Sequence, residues 1–146
     1  MDELYRQELL ELYRNPTNKG KMLNPDLKTE DSNPLCGDQV EIQLRLDKNN
    51  KIIDALFDGK GCVISMASTS LLLDKIKGKT LEQVSNLTRE EILDMIGINL
   101  TPSRIKCAML PLVTLKKGII EKRNNVKITS ELPIKKEIKI KKVKKK

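Results

Sequence analysis

Three cysteines and one aspartate are the residues of this chain best equipped for chemistry. Cys36 and Asp38 stand in NPLCGDQV, Cys62 in GKGCVISMAS and Cys107 in SRIKCAML. An odd number of thiols does not close into a fully paired disulfide framework, so these read as free thiols available to a metal or to sulfur chemistry. No histidine occurs among the 146 residues. That removes imidazole as base, proton shuttle or metal ligand, and Ser–His and Cys–His catalysis go with it. Gly37 lets the backbone approach a bound ion closely, and Asp38 can aim an oxygen at the same centre if the loop turns. Cys36, Asp38, Cys62 and Cys107 would then form a set of three sulfurs and one oxygen. Zinc accepts such ligands at about 2.3 Å for sulfur and about 2.0–2.2 Å for oxygen. Iron–sulfur clusters also require thiolates, and a weaker fourth ligand suits a cluster that must be released. A plainer reading stands beside this one: free cysteine is an ordinary core residue, Asp38 can merely brace a turn, and no CxxC pair is present.

The elements that must position these groups follow from periodicity. Leu4, Tyr5, Leu9, Leu12 and Tyr13 recur at helical spacing over residues 2–14, with Asp2 as a possible cap and Asn15-Pro16 as the stop. A polar, turn-rich passage follows, with a short strand around Leu27 to Ser32. Val40, Ile42, Leu44 and Leu46 then alternate with polar residues, the period of a half-buried strand. Lys48-Asn49-Asn50 turns the chain, and Ile52 to Phe57 returns it. From Val63 the pattern is helical, ending near Gly78. Thr80–Gln83 and Thr88–Glu91 are two capping-box patterns, hence two short helices. A last helix is expected from about Ser103 to Ile120. Helix, small antiparallel sheet, then helices describes an α+β domain.

On this reading each cysteine sits at an element end: Cys36 entering the strand, Cys62 where the hairpin hands over to a helix, Cys107 near the start of the last helix. A thiol at a helix N-terminus or beside a cation is biased towards thiolate, the form that binds metal and attacks sulfur. Arg104 and Lys106 supply cations beside Cys107, and Lys60 beside Cys62; Lys106 also reads simply as a surface lysine. Pro111, four residues after Cys107, supplies no N–H to that residue's carbonyl. Either the regular helix begins later or it bends beside the ligand, loosening Cys107.

With one Phe, two Tyr and no Trp, the core must be aliphatic. No apolar run approaches the ~20 residues that cross a bilayer, and the charged N-terminus lacks the apolar stretch of a signal peptide, so no membrane partner and a cytoplasmic location are expected. The last fourteen residues, PIKKEIKIKKVKKK, contribute +7 of the net charge of +8. This divides the chain into a nearly neutral body, 1–122, and a basic, solvated and disordered tail, 123–146. The tail has no aromatics for base stacking, so nucleic acid is not the expected partner. The alternative class is a zinc-stabilised binding module whose lysine-rich tail engages nucleic acid or an acidic partner.

The same segments resemble the U-type iron–sulfur assembly proteins, the family containing SufU, IscU and the N-terminal domain of NifU. LYRNPTNKGKM, NPLCGDQVEIQLRL, GKGCVISMASTSLLL, GKTLEQV and RIKCAMLPLVTLKKGI follow in family order over residues 2 to about 122. The resemblance implies a three-stranded antiparallel sheet packed on helices, with the cysteines gathered at one exposed end. It implies an iron–sulfur biogenesis protein that accepts persulfide sulfur from a PLP-dependent cysteine desulfurase. Such a protein acts as a scaffold for a transient 2Fe–2S cluster, as a zinc-dependent sulfur-transfer protein, or as both, and serves recipient apo iron–sulfur proteins. "Enzyme" applies to it only in the sulfurtransferase sense. Carried over by motif, the ligands are Cys36, Asp38, Cys62 and Cys107. Cys36 or Cys107 is the sulfur acceptor, Asp38 is the ligand that rearranges, and Arg104 or Lys106 stabilises the anionic persulfide. Lys106 stands where scaffold-type members carry a histidine, so RIKC resembles the zinc-binding SufU type. The short path from Gly78 to Cys107 resembles IscU instead. The Leu-Pro-Pro-Val-Lys chaperone motif is represented only by Leu100-Thr-Pro-Ser-Arg104, so a dedicated Hsp70 partner is not expected.

Overall fold

Alternation in the central strand organises the domain. The computed structural model describes residues 2–34 and 37–131; Met1, Leu35, Cys36 and 132–146, and the side chains of 2 and 125–131, lie outside the described residues. The chain runs α1 (Asp2–Arg14), β1 (Leu27–Asn33), β2 (Asp38–Leu46), β3 (Ile52–Lys60), α2 (Val63–Ile76), α3 (Leu81–Ser85), α4 (Arg89–Ile96) and α5 (Pro102–Glu131). The three strands form one antiparallel sheet in the order β1-β2-β3. Leu44 pairs with Leu27 on one side and Ala55 on the other, and Ile42 pairs with Thr29 and Phe57. All of these are buried, and all but Thr29 join the apolar residues of α2 and α5 in the largely aliphatic core expected from composition. Among the described residues no helix is long and apolar enough to cross a membrane.

The polar passage after α1 has a structural task. Asn18 and Gly20 exchange backbone hydrogen bonds with Phe57, at 2.8 and 2.9 Å, so this segment lies along β3 and covers a sheet edge that would otherwise offer unpaired backbone groups. Thr80 and Thr88 each complete a reciprocal capping box, with Gln83 and Glu91, as their spacing predicts.

Three boundaries differ from the periodicity reading, and two of them shape the site. β2 begins at Asp38, not Val40, because Asp38 pairs with Asn33 across the turn; the aspartate is on a strand and not in a loop. β3 continues past Phe57 to Lys60, pairing Gly59 with Val40 and Lys60 with Gln39. A Cβ on Gly59 would lie 2.2 Å from the Gln39 carbonyl oxygen, so only glycine permits this last stretch. α5 runs to Glu131, past the Ile120 end that the apolar pattern suggests and past residue 122. No glycine or proline interrupts the sequence between Gly118 and Pro133. The lysine-rich stretch from 133 lies outside the described residues.

Helix α2 is the central helix. Its residues from Ile64 to Ser70 are all buried, although four of them carry hydroxyls. Each hydroxyl is satisfied locally or by a neighbour: Ser65 donates to Cys62 O (3.2 Å), Ser68 to Ala108 O (2.7 Å), Thr69 to Ser65 O (2.7 Å) and Ser70 to Thr17 O (3.2 Å). The small side chains leave room for α5 to pack closely against α2.

Candidate metal centre

Three elements deliver one ligand each to the same end of the domain. Asp38 is the first residue of β2 and is 2% exposed. Cys62 is the N-cap of α2, its sulfur accepting the Ser65 N–H at 3.4 Å. Cys107 lies in the second turn of α5 and is 5% exposed. One Asp38 carboxylate oxygen and the two Sγ atoms all lie within 4.8 Å of one another. The extension of β3 makes this possible, because pairing Lys60 with Gln39 leaves Gly61 and Cys62 beside Asp38.

Asp38 is held by the chain that delivers Cys62. The Cys62 N–H donates to its Oδ1 at 3.0 Å, and the Cys62 thiol points at its Oδ2 at 3.6 Å. Gly61 lets the two segments meet: a Cβ there would lie 2.5 Å from Ser65 Oγ and 2.7 Å from Asp38 Oδ1. The structure thus gives the glycines of GKGC a role that spacing alone does not reveal.

The donor set suits a thiophilic cation. Around a tetrahedral zinc with Zn–S near 2.3 Å, neighbouring ligand atoms are about 3.5–3.8 Å apart. The Asp38–Cys62 separation is already in that range, and the Cys107 sulfur lies within 4.8 Å of both the Cys62 sulfur and an Asp38 oxygen. Two thiolates and a carboxylate are also what an iron–sulfur cluster would find here.

The ligands face a cleft of about 690 Å³ that is also lined by Lys60, Arg104 and Lys106. These three cations are exposed and form no ion pair with a described residue. They bring positive charge to an end of the domain where anionic ligands collect. Of the residues singled out from sequence, Asp38, Cys62 and Cys107 are therefore brought together, and Arg104 and Lys106 share their cleft. Cys36 lies outside the described residues. Ser65 was not singled out; its signal was a polar residue three positions after an N-cap, the spacing of a cap partner.

A strand and two helices converge on two thiols and a buried carboxylate, a donor set that could hold a metal ion. The model of the NifU-like N-terminal domain matches residues 4–128, and the chain belongs to that family. The zinc-dependent sulfurtransferase SufU of Bacillus subtilis is 38% identical over 136 residues, covering 82% of this chain and 91% of that protein. The iron–sulfur cluster assembly scaffold protein IscU 1 of Archaeoglobus fulgidus is 31% identical over 138 residues, covering 92% and 89%. A crystal structure from Fervidobacterium islandicum, assigned as an iron–sulfur cluster assembly scaffold for the SUF system, superposes with a TM-score of 0.63 at 28% identity, covering 76% of this chain and 93% of that one.

Proposed function

We propose that this chain is an iron–sulfur biogenesis protein that accepts sulfur from a PLP-dependent cysteine desulfurase and passes it towards recipient apo proteins. The observation that carries this reading is the convergence of Asp38, Cys62 and Cys107 within 4.8 Å. Cys36, two residues before Asp38 in the chain, is the fourth ligand. Zinc held there would keep the thiols deprotonated at neutral pH and bring no redox chemistry of its own.

Sulfur transfer is a thiol–disulfide type exchange. The Cys36 thiolate attacks the outer sulfur of the partner's persulfide, the partner's S–S bond breaks, and its cysteine leaves as thiolate. Cys36 then carries the new S–S bond, with no net oxidation or reduction. Cys107 is buried, so its sulfur would have to be uncovered before it could attack. Asp38 is the ligand that gives way, since a carboxylate binds soft cations less tightly than a thiolate. Arg104 and Lys106, lining the same cleft, offset the negative charge of the persulfide. The body 1–122 carries every proposed site residue, and deletion of 133–146 is expected to leave sulfur acceptance intact.

A second reading, a scaffold carrying a 2Fe–2S cluster as cargo on the same ligands, is favoured by the direct run from α2 through the short helices α3 and α4 to α5. Zinc, iron and acid-labile sulfide content after anaerobic purification separates the two. Zinc without sulfide, lost in Cys36→Ser and Asp38→Ala, supports the relay. Iron with matching sulfide supports the scaffold, and neither metal in the parent protein refutes both.

A further inference from the structure

The mechanism above leaves one buried polar side chain at the centre unused. Ser65 is fully buried, and among the described residues its hydroxyl hydrogen-bonds only to the Cys62 residue that caps its helix. The hydroxyl donates to the Cys62 carbonyl at 3.2 Å and lies 3.7 Å from the Cys62 sulfur, while the Ser65 N–H already donates to that sulfur at 3.4 Å. A hydroxyl has one proton and two acceptor lone pairs. The one Cys62 S–H has two acceptors in reach, Asp38 Oδ2 at 3.6 Å and Ser65 Oγ at 3.7 Å, and in either case the hydroxyl keeps its own proton on the carbonyl.

Metal binding changes what the sulfur asks for. A ligated sulfur has no proton to give and accepts hydrogen bonds only. Rotation about the Ser65 Cβ–Oγ bond moves the hydroxyl proton from the carbonyl to the sulfur without displacing a heavy atom. The Cys62 carbonyl is not abandoned by this change, because the Met66 N–H donates to it at 3.1 Å. The sulfur would then receive two hydrogen bonds from one residue.

We propose that Ser65 is a positioning residue of the metal centre, a two-state hydroxyl that serves the Cys62 carbonyl when the sulfur is a thiol and the sulfur itself when it binds a thiophilic divalent cation. The inference rests on the metal-site reading above and adds a residue to it. Ser68 provides the internal control: it is equally buried on the same helix, but its hydroxyl donates to Ala108 O.

The test uses the full chain loaded with cobalt(II) as a spectroscopic probe, with zinc affinity measured by chelator competition. Losing a hydrogen bond raises the energy of the sulfur donor electrons. Ser65→Ala is therefore expected to move the sulfur-to-cobalt charge-transfer band to longer wavelength and to weaken zinc binding about tenfold, the usual effect of removing a partner that orients a ligand. Ser68→Ala should leave the band where it is. Ser65→Thr, which keeps the hydroxyl, should hold the band at the parent wavelength. An unmoved band in Ser65→Ala, an equal shift in Ser68→Ala, or a shifted band in Ser65→Thr overturns the proposal and leaves the metal site standing. A parent protein with no thiolate–cobalt band at all overturns the site and the proposal together.

Discussion

Replacing Gly61 by alanine is expected to damage the site far more than the fold. The new Cβ would stand 2.5 Å from Ser65 Oγ, 2.7 Å from Asp38 Oδ1 and 3.0 Å from Asp38 Cγ. Ordinary contacts between non-bonded carbons begin near 3.5 Å, so both neighbours must retreat by half an ångström or more. Both are side-chain ends and can do so, which limits the cost to the rest of the domain. Their retreat, however, breaks the 3.0 Å bond between Asp38 Oδ1 and the Cys62 N–H. A hydrogen bond to a charged group contributes about 1.5–3 kcal/mol, and overpacking costs about 1–3 kcal/mol. Relief of one is paid through the other, so about 2 kcal/mol is the expected loss, or roughly 4–8 °C in Tm for a domain of this size. The larger effect is on metal: with Asp38 displaced, zinc affinity should fall about 10- to 100-fold. The assay is chelator competition for zinc alongside thermal melting in EDTA. Gly78→Ala is the control, because Gly78 has φ of +89° with open space around it. It should cost about 1 kcal/mol through backbone strain and leave zinc affinity alone. Zinc binding by Gly61→Ala within about twofold of the parent would refute the claim that this glycine exists to let Asp38 meet Cys62.

Three other outcomes are expected. Pro111→Ala restores a backbone N–H for the Cys107 carbonyl within a helix that already includes both residues, so alkylation of Cys107 in metal-free protein, followed by peptide mass spectrometry, should slow severalfold; equal rates would count against a loosened turn. Thr88→Ala removes the cap on Glu91 N–H and should lower Tm by about 2–4 °C, for a loss of about 1 kcal/mol, without changing zinc affinity. Free zinc at a hundred times its Kd should stabilise the chain by about 2.7 kcal/mol, a rise in Tm that EDTA reverses and that Cys62→Ser largely abolishes.

Element types were legible because the relevant signals are local: the alternation of Val40 to Leu46, the Thr80 and Thr88 capping boxes, the stop at Asn15-Pro16. What escaped was set by tertiary contact. Gly59 looks like a strand terminator, yet it continues the strand because a neighbouring carbonyl fills the space where a side chain would stand. Ser65 and Ser68 look like neutral filler in an apolar helix, since periodicity registers polarity and not the local hydrogen bonds that let a hydroxyl be buried. The site was suggested by residue type, and the resemblance was needed to favour it over ordinary core cysteines. Asp38, Cys62 and Cys107 are far apart along the chain, and their meeting depends on the β2–β3 register and on how α5 packs against α2.

The ligands ride on the ends of elements whose other residues are locked into the aliphatic core. Small zinc domains owe their fold to the ion and collapse when it leaves. Here the aliphatic core is built almost entirely from residues outside the ligand set, with Cys107 at its edge and Cys62 packed against it, so a bound ion would sit at the rim of the fold and not at its centre.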